Sequence, residues 1–263
     1  MLGQDSLRAA VRDAGIDVEP VFLAETGSTN DDLGRLAERG AAEWTVVAAG
    51  HQVAGRGRLG RSWASVPGGA LQLSVLLRPR MPAERAPLLS LLAAEAMAAA
   101  CHRVAGADVR SKWPNDLLVD GRKVGGVLPE ARVAGGELEH VILGVGVNLT
   151  LRDDDFPEEI RGVAGSIAPG GEVDQARLLE AFLTGFRDEY RPEEPDFAVR
   201  VVTAYVAACA TIGRRVRATT TAGVAVEGTA VGLDHLGGLV VETAPGHEHV
   251  VAFGEVAHLN DRA

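Results

Sequence analysis

Residues 112 to 128 read KWPNDLLVDGRKVGGVL, and the way this stretch divides decides the fold. DLLV (116 to 119) and KVGGVL (123 to 128) are short apolar runs of strand character, and Asp120-Gly121 between them is a turn signal. Strands joined so closely pair antiparallel, because a parallel pair needs a crossover of a dozen residues or more. Working outward, HVILGVGVNL (140 to 149), ALQLSVLLR (70 to 78) and WTVVAAG (44 to 50) have the same character, with Gly-rich turns nearby. PVFLAE (20 to 25) is a further strand, and it leads into Gly27-Ser28-Thr29-Asn30, a cluster of turn and N-cap residue types. Helical spacing of apolar residues predicts helices over 4 to 14, over DDLGRLAERG closed by Gly40, and over 83 to 105, 174 to 190 and 197 to 210. The fold class is α+β, with helices packed on a mainly antiparallel sheet.

From Ile212 the pattern changes. Val216, Val224, Val226, Val231, Leu239, Val240, Val241, Val250 and Val251 fall in short β-prone runs between Gly-rich turns. A small all-β barrel of about 50 residues fits. We divide the chain into a catalytic domain, 1 to 211, and a β domain, 212 to 263, with no low-complexity linker between them.

The 263 residues are 46% hydrophobic and 24% charged, enough for one large core and a smaller satellite. No apolar run approaches the roughly 18 to 20 residues that span a bilayer, and MLGQDSLRAAVRDAG lacks the layout of a signal peptide, so a cytoplasmic location is expected. Cys101 and Cys209 stand in no ligand spacing and read as buried thiols. His247 and His249 lack a further spaced ligand, and His51 reads as a loop histidine, so no protein metal cluster is expected. Net charge is -10, which disfavours a nucleic-acid footprint.

Against that acidic background GRGRLGR (55 to 61) stands out. Gly55, Gly57 and Gly60 alternate with Arg56, Arg58 and Arg61, so backbone can approach a ligand while guanidinium groups supply forked cationic donors. The pattern suits a phosphate, and it suits a solvated basic turn or an RNA-binding loop equally well.

A second element, Lys112-Trp113-Pro114-Asn115-Asp116 followed by Gly121-Arg122-Lys123-Val124-Gly125-Gly126, breaks the tie. In order and separation, GSTN (27 to 30), HQVAGRGRLGRSW (51 to 63), KWPNDLLVDGRKVGGVL (112 to 128) and LGVGVN (143 to 148) resemble the catalytic core of biotin protein ligases, closely over residues 20 to about 150. The C-terminal β segment is similar to the SH3-like cap of that family. The resemblance implies a catalytic fold like that of class II aminoacyl-tRNA synthetases, with biotin and ATP as substrates and Mg²⁺ accompanying the nucleotide. It also implies transfer to a lysine of a biotin carboxyl carrier protein or domain. One departure is Pro129-Glu130, where the family has an apolar residue before Glu; proline cannot donate to a ladder, which predicts an edge or a bulge.

The resemblance assigns residues. Ser28, Thr29 and Gln52 bind the ureido ring, whose neutral urea needs donors and acceptors rather than charge; on local sequence alone, Ser28 and Thr29 are favoured as helix caps. Gly55, Arg56, Lys123, Gly126 and Gly144 complete the biotin site, with Gly126, Gly144 and Gly146 keeping its floor flat. Arg56, Arg58, Arg61, Trp63, Lys112, Asn115 and Asn148 face ATP. Trp63 stacks on adenine or is a core indole, and Asn148 contacts nucleotide or closes a turn. Lys123, Arg56, Arg58 and Asp116 form the catalytic set: Lys123, otherwise a surface lysine, is a mobile cation between glycine-rich turns, and Asp116 orients the acceptor lysine or helps hold Mg²⁺. Trp113 and Pro114 are structural. The Arg-Gly loop is expected to close on the adenylate.

Two other classes were weighed. A lipoate or octanoate ligase would share the fold but lack the GRGRxGR loop and carry a longer apolar tunnel. A DNA-binding repressor needs a helix-turn-helix, and only about 20 residues precede the first strand, so no nucleic acid and no membrane are expected as partners. A homodimer is left open.

Overall fold

In the computed structural model, which describes residues 1 to 135 and 137 to 259, seven strands form the main sheet. They are β1 (Val21–Leu23), β2 (Val46–Ala49), β3 (Ala70–Leu77), β4 (Arg110–Lys112), β5 (Asp116–Val119), β6 (Arg122–Ala134) and β7 (Glu137–Asn148), in the order β1-β2-β3-β7-β6-β5-β4. Only β1 and β2 are parallel; every other neighbouring pair is antiparallel. KWPND is the turn of the β4–β5 hairpin, since Lys112 pairs with Asp116.

Among the described residues there are five α-helices, α1 (Gln4–Asp13), α2 (Thr29–Glu38), α3 (Pro87–Ala105), α4 (Gln175–Glu189) and α5 (Phe197–Ala208), with α4 packed on α1 and α3. Their ends follow elementary rules. Proline opens α3, where its missing N–H is no loss, and Gly106 closes it in the left-handed region at φ 66°. Asp174 caps α4 by accepting from the N–H groups of Ala176 and Arg177, both at 3.1 Å.

Strand alternation sends the two sheet faces to different tasks. On one face Leu71, Leu73, Val75 and Leu77 of β3 and Val141, Leu143, Val145 and Val147 of β7 join the large core under α1, α3, α4 and α5. On the other face, α2 covers only a small cluster of Leu33, Ala37, Val47, Leu76 and Ile142. Beyond Leu76 and Ile142 that second face turns polar and small: Ser74 opposes Gly144, and Gln72 opposes Gly146. The space above those four residues is where the candidate site lies.

Helix α3, with the turn before it, spans 23 residues and contains an 18-residue window of mean hydropathy 1.4, long and apolar enough to cross a membrane by length and composition. This corrects the expectation that no such run exists. The helix is nonetheless a core element: 67% of its most apolar window is buried, against α4, α5 and the sheet.

The C-terminal strands β8 (Arg215–Thr220), β9 (Ala225–Leu233), β10 (Leu239–Ala244), β11 (His247–Val251) and β12 (Gly254–His258) form a wholly antiparallel sheet, ordered β11-β10-β9-β8-β12. Its buried residues Val216, Leu239, Val241 and Val256 are continuous with the main core. The joint is built around Trp113, whose indole N–H donates to Gly237 O at 2.9 Å and whose backbone N–H donates to Thr211 Oγ1 at 3.2 Å.

Thr211 Oγ1 also lies 3.1 Å from His258 Nε2. With one lone pair of its oxygen accepting from Trp113, the hydroxyl is free to donate to the ring when the imidazole is neutral. Burial, with Lys112 and Arg214 nearby, pushes the His258 pKa down to about 4 from its ordinary 6.5. An unfolded chain takes up this proton first, so stability is full above pH 6.5 and is lost progressively as pH falls toward 4. Replacing His258 with Gln, which keeps an acceptor for Thr211, should flatten that limb in denaturant titrations run from pH 8 to 4; an unchanged acid limb would show that His258 does not set it.

Pro129 sits where its chemistry allows. Val127, two residues earlier, donates its N–H to Asn115 O on the β5 side of β6. Pro129 turns its nitrogen to that same side, beyond the end of β5, so no ladder bond is forfeited. The register shift between β6 and β7 comes later, at Arg132 and Val133. Cys101 and Cys209 are free and buried, and burial pushes the Cys101 thiol up to about 12, which leaves it unreactive.

Candidate active site

A cavity of about 380 Å³ opens over the polar part of the sheet. Its walls are the N-terminus of α2, the Arg-Gly loop, the KWPND turn, the start of β6 and, across the opening, β8 and β12. Ser28, Thr29, Gln52, Arg56, Arg58, Arg61, Trp63, Lys112, Asn115, Asp116, Lys123, Gly126 and Gly144 all line it. Two residues expected there do not. Asn148 is buried with its Nδ2 donating to Gly165 O at 3.0 Å and does not line the cavity, although it shares the sheet face of Gly144 and Gly146. Gly55 lies at the base of the loop, where an added Cβ would sit 3.0 Å from Trp63 O and 3.3 Å from Gln52 Nε2.

One end of the cavity is neutral and densely hydrogen-bonded. Ser28 is the N-cap residue of α2, yet its side chain makes no capping bond and is left for the cavity. The helix is capped from outside: Gln52 Oε1 accepts from Thr29 N–H at 2.8 Å and from Thr29 Oγ1 at 3.0 Å. Ser74 Oγ reaches Thr29 Oγ1 at 2.7 Å and Asn30 Oδ1 at 2.6 Å, and Asn30 Nδ2 donates to Glu130 at 2.9 Å. Close packing favours glycine at two floor positions. A Cβ on Gly144 would stand 2.4 Å from Asn30 Oδ1, and one on Gly146 would stand 3.2 Å from the Trp63 indole. Trp63 therefore packs across β7, with its ring nitrogen buried and unpartnered.

The other end is cationic. Lys123 is on strand β6, as the KVGGVL run predicts, with its backbone bonded to Val163 and Gly165. Its Nζ lies 2.5 Å from Asp116 Oδ1. Arg58 donates to Asn115 Oδ1 at 3.3 Å, and burial lowers its pKa, which still leaves a guanidinium charged at any working pH. Lys112 lines the same wall.

The loop itself is a small hairpin, with Gly57 N–H donating to Arg61 O at 2.7 Å and Trp63 N–H to Gly55 O at 2.8 Å. Its arginines tie it down on several sides. Arg56 meets Asp31 at 2.6 Å and Glu130 at 3.1 Å, which raises the arginine's pKa and lowers that of Asp31. Arg61 meets Glu255 of β12 at 2.6 Å. The loop thus straps the cavity from α2 and β6 on one side to the C-terminal sheet on the other.

Comparison with known proteins gives this arrangement a family. Residues 25–148 match the Biotin/lipoate A/B protein ligase family, and residues 211–259 match the Biotin protein ligase C terminal domain. The Biotin--[acetyl-CoA-carboxylase] ligase of Mycobacterium tuberculosis is 36% identical over 98% of this chain and 96% of its own. The chain belongs to the biotin protein ligase family. The Bifunctional ligase/repressor BirA of Bacillus spizizenii is 33% identical to this ligase, over 93% of the chain and 76% of the relative. The solved biotin protein ligase from Aquifex aeolicus in complex with biotin and ATP superposes with a TM-score of 0.77, at 27% identity, over 91% of this chain and 99% of that one.

Sequence reasoning missed several residues of the ligase cavity and its frame: Asn30, Asp31, Gln72, Ser74, Glu130 and, from the C-terminal sheet, Arg217, Thr219 and Glu255. A signal existed for two. Gln72 and Ser74 are polar residues two apart in the otherwise apolar ALQLSVLL, a face that alternation marks as different from its neighbour.

Proposed function

We propose that the ligase activates biotin with ATP to biotinyl-5′-AMP and transfers the biotinyl group to a lysine of a carrier domain, the acetyl-CoA carboxylase carrier being the acceptor class that the Mycobacterium relative's name suggests. The observation that carries this reading is a single cavity with a neutral, hydrogen-bonding end at Ser28, Thr29 and Gln52 and a cationic end at Arg58, Lys112 and Lys123. A neutral cyclic urea joined to a carboxylate has that same division of character.

In the first step the biotin carboxylate attacks the α-phosphorus and pyrophosphate leaves. Both reactants are anions, so Lys123 and Arg58 serve by lowering their repulsion and holding them in line. As Lys123 turns from Asp116 to the anions, Asp116 becomes free to orient the incoming lysine ammonium and accept its proton. The amine then attacks the acyl carbon and AMP leaves. Trp63 and the strapped loop keep water from the mixed anhydride. Asn115, with Arg61 near the opening, completes the nucleotide side. Magnesium enters with the ATP phosphates: among the described residues no group of three or more His, Cys, Asp or Glu stands together, so no step is assigned to a protein-held ion. A cytoplasmic location suits an ATP-dependent modifier of carboxylases.

A lipoate or octanoate substrate is disfavoured by the polar end, which a dithiolane or an alkyl chain would leave unpaired. The test is direct. Incubation of the ligase with MgATP, biotin and a carrier domain should yield one biotinyl group per acceptor lysine together with AMP and pyrophosphate; formation of ADP, or modification by lipoate alone, would contradict the reading.

Acceptor docking uses the open edge of β6 beyond β5, where a β-structured carrier domain can add a strand. Pro129 offers no donor there, which leaves the Ala131 N–H as the next one along. Replacing Ala131 with Pro is expected to raise the KM for the carrier domain about tenfold while leaving adenylate formation unchanged; an unaltered KM would move the docking surface elsewhere.

A further inference from the structure

Behind the neutral end lies a fully buried amide that touches no cavity surface. Gln72 is 1% exposed, on β3, and it is enclosed by the two residues its side chain bonds. The order of donors and acceptors there is fixed by one fact. The Thr29 backbone N–H can only donate, so the Gln52 atom 2.8 Å from it is the carbonyl oxygen. That places Gln52 Nε2 against Gln72 Oε1 at 2.8 Å, and it sends Gln72 Nε2 to Ser65 Oγ at 3.1 Å.

The consequence concerns what Gln52 can offer a ligand. Thr29 N–H takes one lone pair of its oxygen, Thr29 Oγ1 lies 3.0 Å from that same oxygen and shares its one proton between Gln52 and Ser74, and Gln72 takes one of the two Gln52 N–H donors. One N–H is left over, and Gln52 lines the cavity. The geometry points to Gln72 as a positioning, specificity-determining residue: it locks the Gln52 amide so that the cavity presents a hydrogen-bond donor to a carbonyl oxygen on the ligand ring. This rests on the biotin reading of the site, in which the ring carbonyl is the ureido oxygen. Ser65 extends the lock, because its hydroxyl holds Gln72 and it follows Trp63 by two residues. The amide that selects the acid is thereby tied to the C-terminal stem of the Arg-Gly loop.

Without Gln72, the Gln52 amine would face an apolar wall with a buried donor unpaired, a state the side chain relieves by swinging out of the plane that meets the ligand. The experiment measures biotin-dependent ATP–pyrophosphate exchange by the full-length protein and its variants. Gln72→Met should raise the KM for biotin about tenfold, leave the KM for ATP within about twofold, and leave the saturated rate of transfer from preformed biotinyl-5′-AMP unchanged. Joined to Gln52→Ala, it should add no further loss, because Gln72 acts through Gln52. A Gln72→Met enzyme with normal biotin KM, or a double variant whose losses multiply, would overturn the proposal. Should Gln72→Met fail to unfold cooperatively, Ser65→Ala decides: it frees the Gln72 amide without touching the core, and about a threefold rise in biotin KM is expected, whereas no rise counts against the lock. Absence of exchange with biotin in the unmodified protein would instead defeat the biotin reading, a separate outcome.

Discussion

Lys123→Ala should lower ATP–pyrophosphate exchange with biotin by about a hundredfold to a thousandfold, the usual cost of removing one pre-placed group that stabilises developing charge. Two effects act in the same direction. On the proposed mechanism the cation that lowers the repulsion between carboxylate and α-phosphate is lost, and Asp116, now without its partner at 2.5 Å, presents a bare carboxylate to two incoming anions. The fold should barely notice. Both side chains are partly exposed, 41% for Lys123 and 24% for Asp116, and such a pair contributes at most about 1 kcal/mol. A large loss of exchange with an unchanged unfolding midpoint is therefore the expected pair of results. A variant that exchanges within about tenfold of the unmodified protein would take Lys123 out of the chemistry.

The second large effect belongs to the joint. Trp113 is 2% exposed and its indole N–H is bonded to Gly237 O, so Trp113→Ala removes a full aromatic packing unit and leaves a buried carbonyl unpaired. A loss of about 3–5 kcal/mol in urea unfolding is expected. Trp113→Phe keeps most of the packing and should lose about 1–2 kcal/mol. Because Trp113 opens the turn that carries Asn115 and Asp116, the KM for ATP should rise in both variants before stability at the assay temperature becomes limiting. Losses below about 1 kcal/mol for the alanine variant would mean that the C-terminal sheet is held by other contacts.

Local chemistry made much of this legible in the sequence. The Asp120-Gly121 turn between two apolar runs marks the β5–β6 hairpin, and the antiparallel sheet follows from it. The GSTN cluster marks the start of α2, where Ser28 is the N-cap residue without a capping bond of its own and Gln52 supplies that bond. That bond joins residues 23 apart, and nothing local announces it. The partners of the loop arginines are harder still. Asp31, Glu130 and Glu255 stand 25, 74 and 194 residues from the arginines they bind, and their meeting depends on how α2, β6 and the C-terminal sheet converge. Gly144 and Gly146 were legible as places of close approach, but the approaching groups are Asn30 and Trp63, which only the packed sheet reveals. Asn148, read as a nucleotide contact or a turn closure, bonds instead to Gly165 O, a partner 17 residues away that nothing local announces.

On the proposed function this cavity selects biotin and activates its carboxylate with ATP. ATP–pyrophosphate exchange measured side by side with biotin, lipoate and octanoate tests it most directly. The account predicts rapid exchange with biotin and background rates with the other two; exchange supported by lipoate or octanoate and not by biotin would contradict it.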